Sequence, residues 1–167
     1  FVKIDPHIGS VLYAADRYES KPVIERWLKQ GFVVVLDRYV SSNQIHQGGK
    51  ILHPKRQREF LTWLDTMEHG VFGLPRPDRI IYLDVPTQIS QSLLKTEDQK
   101  RKKVYVSKRK TDLVENDEEY MRRSRENALK LVRKLNAWTK IDCTKRGELC
   151  SREAIAEKVW TEVKKVL

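Results

Sequence analysis

Apolar positions recur along this chain with two distinct periods. Between Pro6 and Glu19, Ile8, Leu12 and Ala15 fall on one helical stripe, which predicts a helix. Pro22 suits the first turn of a second helix, and Gly31 suits its end. Phe32 to Leu36 is then apolar and rich in β-branched residues without alternation, the pattern of a strand covered on both faces in a parallel sheet. Pro54 to Met67 returns to helical spacing, with Phe60, Trp63, Leu64 and Met67 on one face and Gly70 past the end. Gly73-Leu74-Pro75-Arg76-Pro77 reads as a loop. Ile80 to Val85 is a second buried strand, Pro86 opens a helix, and helical spacing resumes from Glu118 to Leu135. Trp138 to Asp142 is a third strand, and Ser151 caps a last helix.

This alternation predicts an α/β domain, a parallel sheet with helices on both faces joined by right-handed crossovers. Sheets of this kind average about five or six strands. Three are visible and the chain starts at Phe1, so the expectation is a single domain over residues 1–167 whose N-terminal strand or strands lie upstream.

Composition narrows the class. With 167 residues and 40% hydrophobic content, the chain suits one core that buries roughly 70% of the unfolded surface. The longest apolar run, Phe32 to Leu36, is far short of the roughly 20 residues of a membrane span, and no apolar secretion signal opens the chain, so a cytoplasmic protein is expected. Cys143 and Cys150 form neither a disulfide framework nor a metal spacing and read as reduced, structural thiols. Of the net charge of +10, seven charges come from Lys100, Arg101, Lys102, Lys103, Lys108, Arg109 and Lys110, with no acid among them. The remainder is nearly balanced, which argues against an extended nucleic-acid groove and for a cationic flap.

Two constellations carry candidate chemistry. Asp37-Arg38-Tyr39 sits at the C-terminal end of a predicted strand, where open α/β sheets place ligands. An acid there can hold magnesium or its water, and a guanidinium fork beside it can grip phosphate oxygens; a strand-end ion pair would use the same two residues. Tyr13 and Arg17 are four apart on a helix and share a face. They suit a stacked base with its edge bonded from Arg17, although the segment taken alone favours a core tyrosine beside a solvated arginine.

Leu12-Tyr13-Ala14-Ala15-Asp16-Arg17, then Leu36-Asp37-Arg38-Tyr39-Val40-Ser41-Ser42-Asn43 and Gln47-Gly48-Gly49, are similar in order and spacing to the thymidylate kinase signature. The likeness continues through Pro77-Asp78-Arg79-Ile80-Ile81-Tyr82-Leu83-Asp84-Val85-Pro86, Asp112 to Arg125, and Ile141-Asp142-Cys143. The resemblance implies a three-layer P-loop kinase fold and transfer of the γ-phosphate of ATP to dTMP, giving dTDP, with Mg2+. By it, Tyr13 stacks on thymine, Arg17 and Asn43 bond the base, and Gln47 belongs to the substrate-binding set. Arg38 clamps the transferring phosphoryl region and Asp37 lies near magnesium. His46 stands where many family members carry a tyrosine packed beside the sugar to disfavour a 2′-hydroxyl. The basic segment, about residues 97–116, corresponds to the family's lid, with Arg101 and Arg109 as candidates to reach the transition state. Asp112 and Glu115 match the acid pair beyond it, while Arg123 and Arg125 read as helix surface pairs. A homodimer is also implied; the face with Phe60, Trp63, Leu64 and Met67 is a candidate for its surface or for ordinary core.

One departure stands out. No Gly-x-x-x-x-Gly-Lys-Ser/Thr occurs, and Gly48-Gly49-Lys50 lacks the preceding strand that a phosphate loop needs. The ATP loop is therefore expected upstream of Phe1, and the chain alone is expected to be inactive. A kinase for another deoxynucleotide or nucleoside, a noncatalytic module that has lost its nucleotide loop, and a basic nucleic-acid binder are the competing readings.

Overall fold

The computed structural model describes residues 3–93 and 118–167, and the chain divides into two compact units, Phe1–Asp78 and Arg79–Leu167. The described residues are mixed α/β, mostly helical with a small parallel sheet.

The first unit is built on helix α1, Pro6–Lys29. Asp5 caps its start, the carboxylate accepting from the His7 and Ile8 amides at 2.8 and 3.3 Å. At the far end Gly31 takes a φ of +79°, and the Gly31 and Phe32 amides donate to the Leu28 and Trp27 carbonyls at 3.0 Å each. That bond pair is a Schellman stop, and glycine suits it because it has no Cβ to clash.

The expected division of this helix is corrected. It does not divide at Pro22, which lies inside it, although an interior proline costs about 3 kcal/mol. Packing on both sides of the proline offsets that cost: Ser10, Ala14 and Ile24 are buried on one stripe, and Lys21 on the same stripe donates to the Phe72 carbonyl at 3.1 Å. The apolar stripe read from the sequence faces outward, with Ile8 59% and Leu12 53% exposed. The inward face is instead small and polar, and at Gly9 it is met by the Gln47 side chain. A Cβ on Gly9 would lie 3.0 Å from Gln47 Oε1.

After Gly31 the segment from Phe32 to Leu36 runs without helix or ladder. Phe32 and Val33 are 60% exposed and Val35 81%, so the strand covered on both faces is not found. A strand exists only through a neighbour that pairs its amides and carbonyls, and none pairs with this segment among the described residues. A short helix α2, Val40–Ser42, then widens into a π-helical turn, Asn43–Gln47, and tightens into a 3₁₀ turn, Gly48–Lys50. Helix α3, Pro54–Asp65, follows and widens into a second π-helical turn, Thr66–Val71. Ala14, Phe60, Leu64 and Met67 form the buried core, with Ile51, Leu61, Trp63 and Phe72 packed around it. The α3 face is therefore core and not a subunit surface.

In the second unit, strands β1, Ile80–Asp84, and β2, Trp138–Asp142, pair in parallel from Ile80 opposite Trp138 to Asp84 opposite Asp142. Helix α4 covers residues 87–93. Helix α5, Glu118–Lys134, packs on both strands, and α6, Arg152–Val163, packs on β2. Ser151 caps α6, its hydroxyl accepting from the Ala154 amide at 3.1 Å. Between β2 and α6 a small hairpin pairs β3, Thr144–Lys145, with β4, Glu148–Leu149. Its two-residue turn, Arg146-Gly147, has positive φ at both positions, +54° and +85°, as a type I′ turn requires. Cys143 and Cys150, flanking the hairpin, are both free thiols. Arg123 pairs with Glu119 on the helix surface as expected. Arg125 does not: it grips the buried carboxylate of Asp84 at 2.7 and 3.1 Å and so ties α5 to the end of β1.

Candidate functional site

The buried polar groups of the first unit converge on one carboxylate. Glu68 lies in the π-helical turn after α3 and is 1% exposed. Its Oε1 accepts from Arg17 NH1 at 3.0 Å and from Asn43 Nδ2 at 2.6 Å. Asn43 Nδ2 also donates to the Ser10 carbonyl at 3.1 Å. Three separate elements thus meet: α1 brings Ser10 and Arg17, the first π-helical turn brings Asn43, and the second brings Glu68. A π-helical turn takes an extra residue per turn and turns inward side chains that straight α-helical spacing would place differently; such turns are frequent at functional sites.

The electrostatics of the pair follow from its burial. Desolvation raises the Glu68 carboxyl above its ordinary value, opposed by Arg17 and by the Asn43 bond. Desolvation likewise lowers Arg17, opposed by Glu68. Glu68 Oε2, Ser10 Oγ and Gln47 Oε1 are buried without a hydrogen-bond partner among the described residues. Each such atom costs about 1–3 kcal/mol, and a cluster of them is the polar lining expected where a ligand or ordered water completes the network.

Around this centre stand the other predicted residues. Tyr13 is 41% exposed on α1, one turn before Arg17. Tyr39 donates from its hydroxyl to the Pro75 carbonyl at 3.1 Å. Burial, reinforced by the nearby Glu68 charge, pushes the Tyr39 phenol up to about 12. Burial, with Arg38 and Lys50 close by, lowers His46 to about 4, so its ring is neutral near pH 7 and is not a solvated loop histidine.

Asp37 and Arg38 are exposed, and neither makes an ion pair with the other or with any described residue. The strand-end salt bridge is therefore not formed. Arg38 holds a φ of +68°, a left-handed conformation that costs a non-glycine residue about 1–3 kcal/mol and concentrates at functional positions. Asp37 offers an exposed carboxylate without an ion-pair partner among the described residues, the kind of group that magnesium takes singly or in pairs with phosphate oxygens and water. No group of three or more metal-ligating side chains occurs among the described residues. Gly48 and Gly49 are buried, and the Gly48 carbonyl accepts from Gln57 Nε2 at 2.8 Å. Lys50 reaches the Ile4 carbonyl at 3.1 Å, so this Gly-Gly-Lys run is a packed turn and not a phosphate loop. Arg101, Arg109, Asp112 and Glu115 lie outside the described residues.

Sequence reasoning singled out Arg17 and Asn43 but not Glu68, to which both are bonded. The signal was present. Phe60, Leu64 and Glu68 are spaced by four, so a charged residue stands on an otherwise apolar helical stripe.

The first unit thus holds a buried polar centre on Glu68 and an exposed acid and arginine, and the sequence carries no phosphate loop. A family model described as thymidylate kinase matches residues 2–155. The chain belongs to the thymidylate kinase family, a family of ATP-dependent phosphotransferases with a P-loop kinase fold. Among curated relatives, the "Probable thymidylate kinase" of Pyrobaculum aerophilum is 31% identical over 105 residues, 62% of this chain and 50% of that protein. The human thymidylate kinase is 30% identical over 82 residues, 49% of this chain and 34% of that protein. That of Mycobacterium tuberculosis is 31% identical over 81 residues, 48% of this chain and 37% of that protein. The matched stretch spans half or less of the length of these relatives. No helix among the described residues is long and apolar enough to cross a membrane.

Proposed function

We propose that the full-length protein is a dTMP kinase that transfers the γ-phosphate of ATP to dTMP, giving dTDP and ADP. The observation that carries this reading is the meeting of Arg17 and Asn43 on Glu68, one turn from the exposed ring of Tyr13. A ring for stacking, a guanidinium and an amide are the groups that recognise a flat base with a polar edge.

In this reading Tyr13 stacks on thymine, Arg17 and Asn43 bond its edge, and Gln47 completes the substrate set. The neutral ring of His46 packs at the sugar, a flat face with no charge to attract a 2′-hydroxyl. Arg38, poised by its backbone, holds oxygens of the transferring phosphoryl group, and Asp37 stands beside the magnesium that neutralises phosphate charge. Phosphoryl transfer is catalysed mainly by positioning and electrostatics, so no covalent intermediate is required. Residues 1–167 form one kinase domain, with the basic segment at about 97–116 as a lid over ATP and Arg101 and Arg109 as its cationic arms; Asp112 and Glu115 follow it. The protein is cytoplasmic and works as a homodimer.

Arg17→Ala in the full-length protein is expected to raise the dTMP KM by about 10- to 100-fold, the range for losing a charged hydrogen bond, with little change in the ATP KM. Steady-state kinetics with each substrate varied in turn checks this. Equal damage to both constants would contradict a base contact remote from the triphosphate.

A further inference from the structure

We propose that Glu68 is a positioning residue that sets the hydrogen-bonding polarity of the base-reading edge; this rests on the dTMP-kinase reading above. Asn43 has two amide hydrogens, and both are committed, one to Glu68 Oε1 at 2.6 Å and one to the Ser10 carbonyl at 3.1 Å. Two acceptors on its nitrogen side fix which end of the amide is which. Asn43 is thereby held so that its Oδ1, an acceptor, is the group left for a ligand. Arg17 gives one N–H to the same Glu68 oxygen at 3.0 Å and keeps donors for a ligand, since a guanidinium carries five and can accept nothing.

The edge built this way offers one donor and one acceptor. Thymine and uracil present the complement, a carbonyl oxygen acceptor beside a ring N–H donor. Cytosine presents the reverse, an amino donor beside a ring nitrogen acceptor, and would meet donor with donor and acceptor with acceptor. Glu68 therefore acts on base choice through Arg17 and Asn43. Its Oε1 is already taken by Arg17 and Asn43, so its effect on the base runs through those two side chains. The same bonds explain why an apolar residue could not replace it: Arg17 would lose its only hydrogen-bonded carboxylate partner among the described residues, and the Asn43 amide would be free to turn over.

The test is made on the full-length protein in two arms. In the first, nitrogen-proton NMR of the ligand-free wild type is expected to show the Arg17 guanidinium in slow rotation and a single well-dispersed Asn43 amide pair. Both signatures should be lost in Glu68→Gln. Averaged Arg17 signals in the wild type would overturn the proposal without any variant being needed, and so would unchanged signals in the variant. In the second arm, Glu68→Gln is expected to raise the dTMP KM about 10- to 100-fold, as for loss of a charged hydrogen bond. The ATP KM should stay near wild type, the preference for dTMP over dCMP should shrink, and Glu68→Asp should recover part of the loss. A Glu68→Gln protein with unaltered dTMP KM and unaltered preference would overturn it, as would an equal rise in both KM values. Failure of the wild type to phosphorylate dTMP would remove the dTMP-kinase reading, while the NMR arm would still decide whether Glu68 orders Arg17 and Asn43.

Discussion

Arg38→Ala in the full-length protein is expected to lower kcat by about 10²- to 10³-fold, the range for removing one preorganised donor to developing charge, while the dTMP KM moves far less. The reason lies in two observations. Arg38 is exposed and makes no ion pair with any described residue, so its fork is available. Its backbone holds a left-handed conformation, a strain that concentrates at functional positions. Interactions made mainly in the transition state appear in kcat and not in KM. Arg38→Lys should fall between wild type and alanine, because a lysine keeps the charge but loses the planar pair of donors. Rapid-quench measurement of the phosphoryl-transfer step checks the assignment. A loss confined to dTMP affinity would place Arg38 in ground-state binding instead.

Leu64→Ala is expected to destabilise the protein by about 2–5 kcal/mol, the range for truncating a fully buried leucine, out of a typical total of about 5–15. Leu64 is 1% exposed and packs among Ala14, Phe60 and Met67. Glu68 lies one helical turn further on, within the π-helical turn, so the cavity would also loosen the seat of the Arg17–Glu68 pair. Leu12→Ala provides the contrast. Leu12 belongs to the apolar stripe read from the sequence, yet it is half exposed, and its truncation should cost no more than about 0.5 kcal/mol. Urea unfolding of both variants measures the pair. A Leu12 effect as large as that of Leu64 would show that the outward stripe is covered.

Much of this architecture was legible because local rules agreed with tertiary packing. Ser151 at the start of α6 and Gly31 after α1 behave as their chemistry dictates; β1 forms where expected, but it is not a buried strand, since Ile80, Ile81 and Tyr82 are half-buried, Leu83 is exposed and only Asp84 is buried. The failures share a cause. Pro22 was read as a helix start because propensity is local, whereas the packing of Ser10, Ala14 and Ile24 that keeps α1 whole is not. Ile8 and Leu12 mark a helix by their spacing, but which face turns inward depends on neighbours such as the Gln47 side chain against Gly9. The segment Phe32 to Leu36 has strand composition, but strand formation depends on a partner that composition cannot supply.

The candidate site divides in the same way. Tyr13, Arg17, Asp37, Arg38, Asn43, His46 and Gln47 were legible from a signature of ordered residues. Glu68 was hidden because charge within a predicted apolar helix end reads as surface, and because the widening of two helices into π-helical turns has no simple sequence mark. Arg125 was hidden for a related reason: its partner Asp84 is 41 residues away, and only the fold brings them together.

The central claim is the acceptor. The most direct measurement is the rate of ATP-dependent phosphorylation by the full-length protein, with magnesium, of dTMP, dUMP, ribothymidine monophosphate and thymidine in parallel. The highest kcat/KM is predicted for dTMP. Ribothymidine monophosphate should be disfavoured by the His46 ring, and thymidine should be nearly inert because it carries no 5′-phosphate to accept the γ-phosphoryl group. Faster turnover of thymidine than of dTMP would contradict the account.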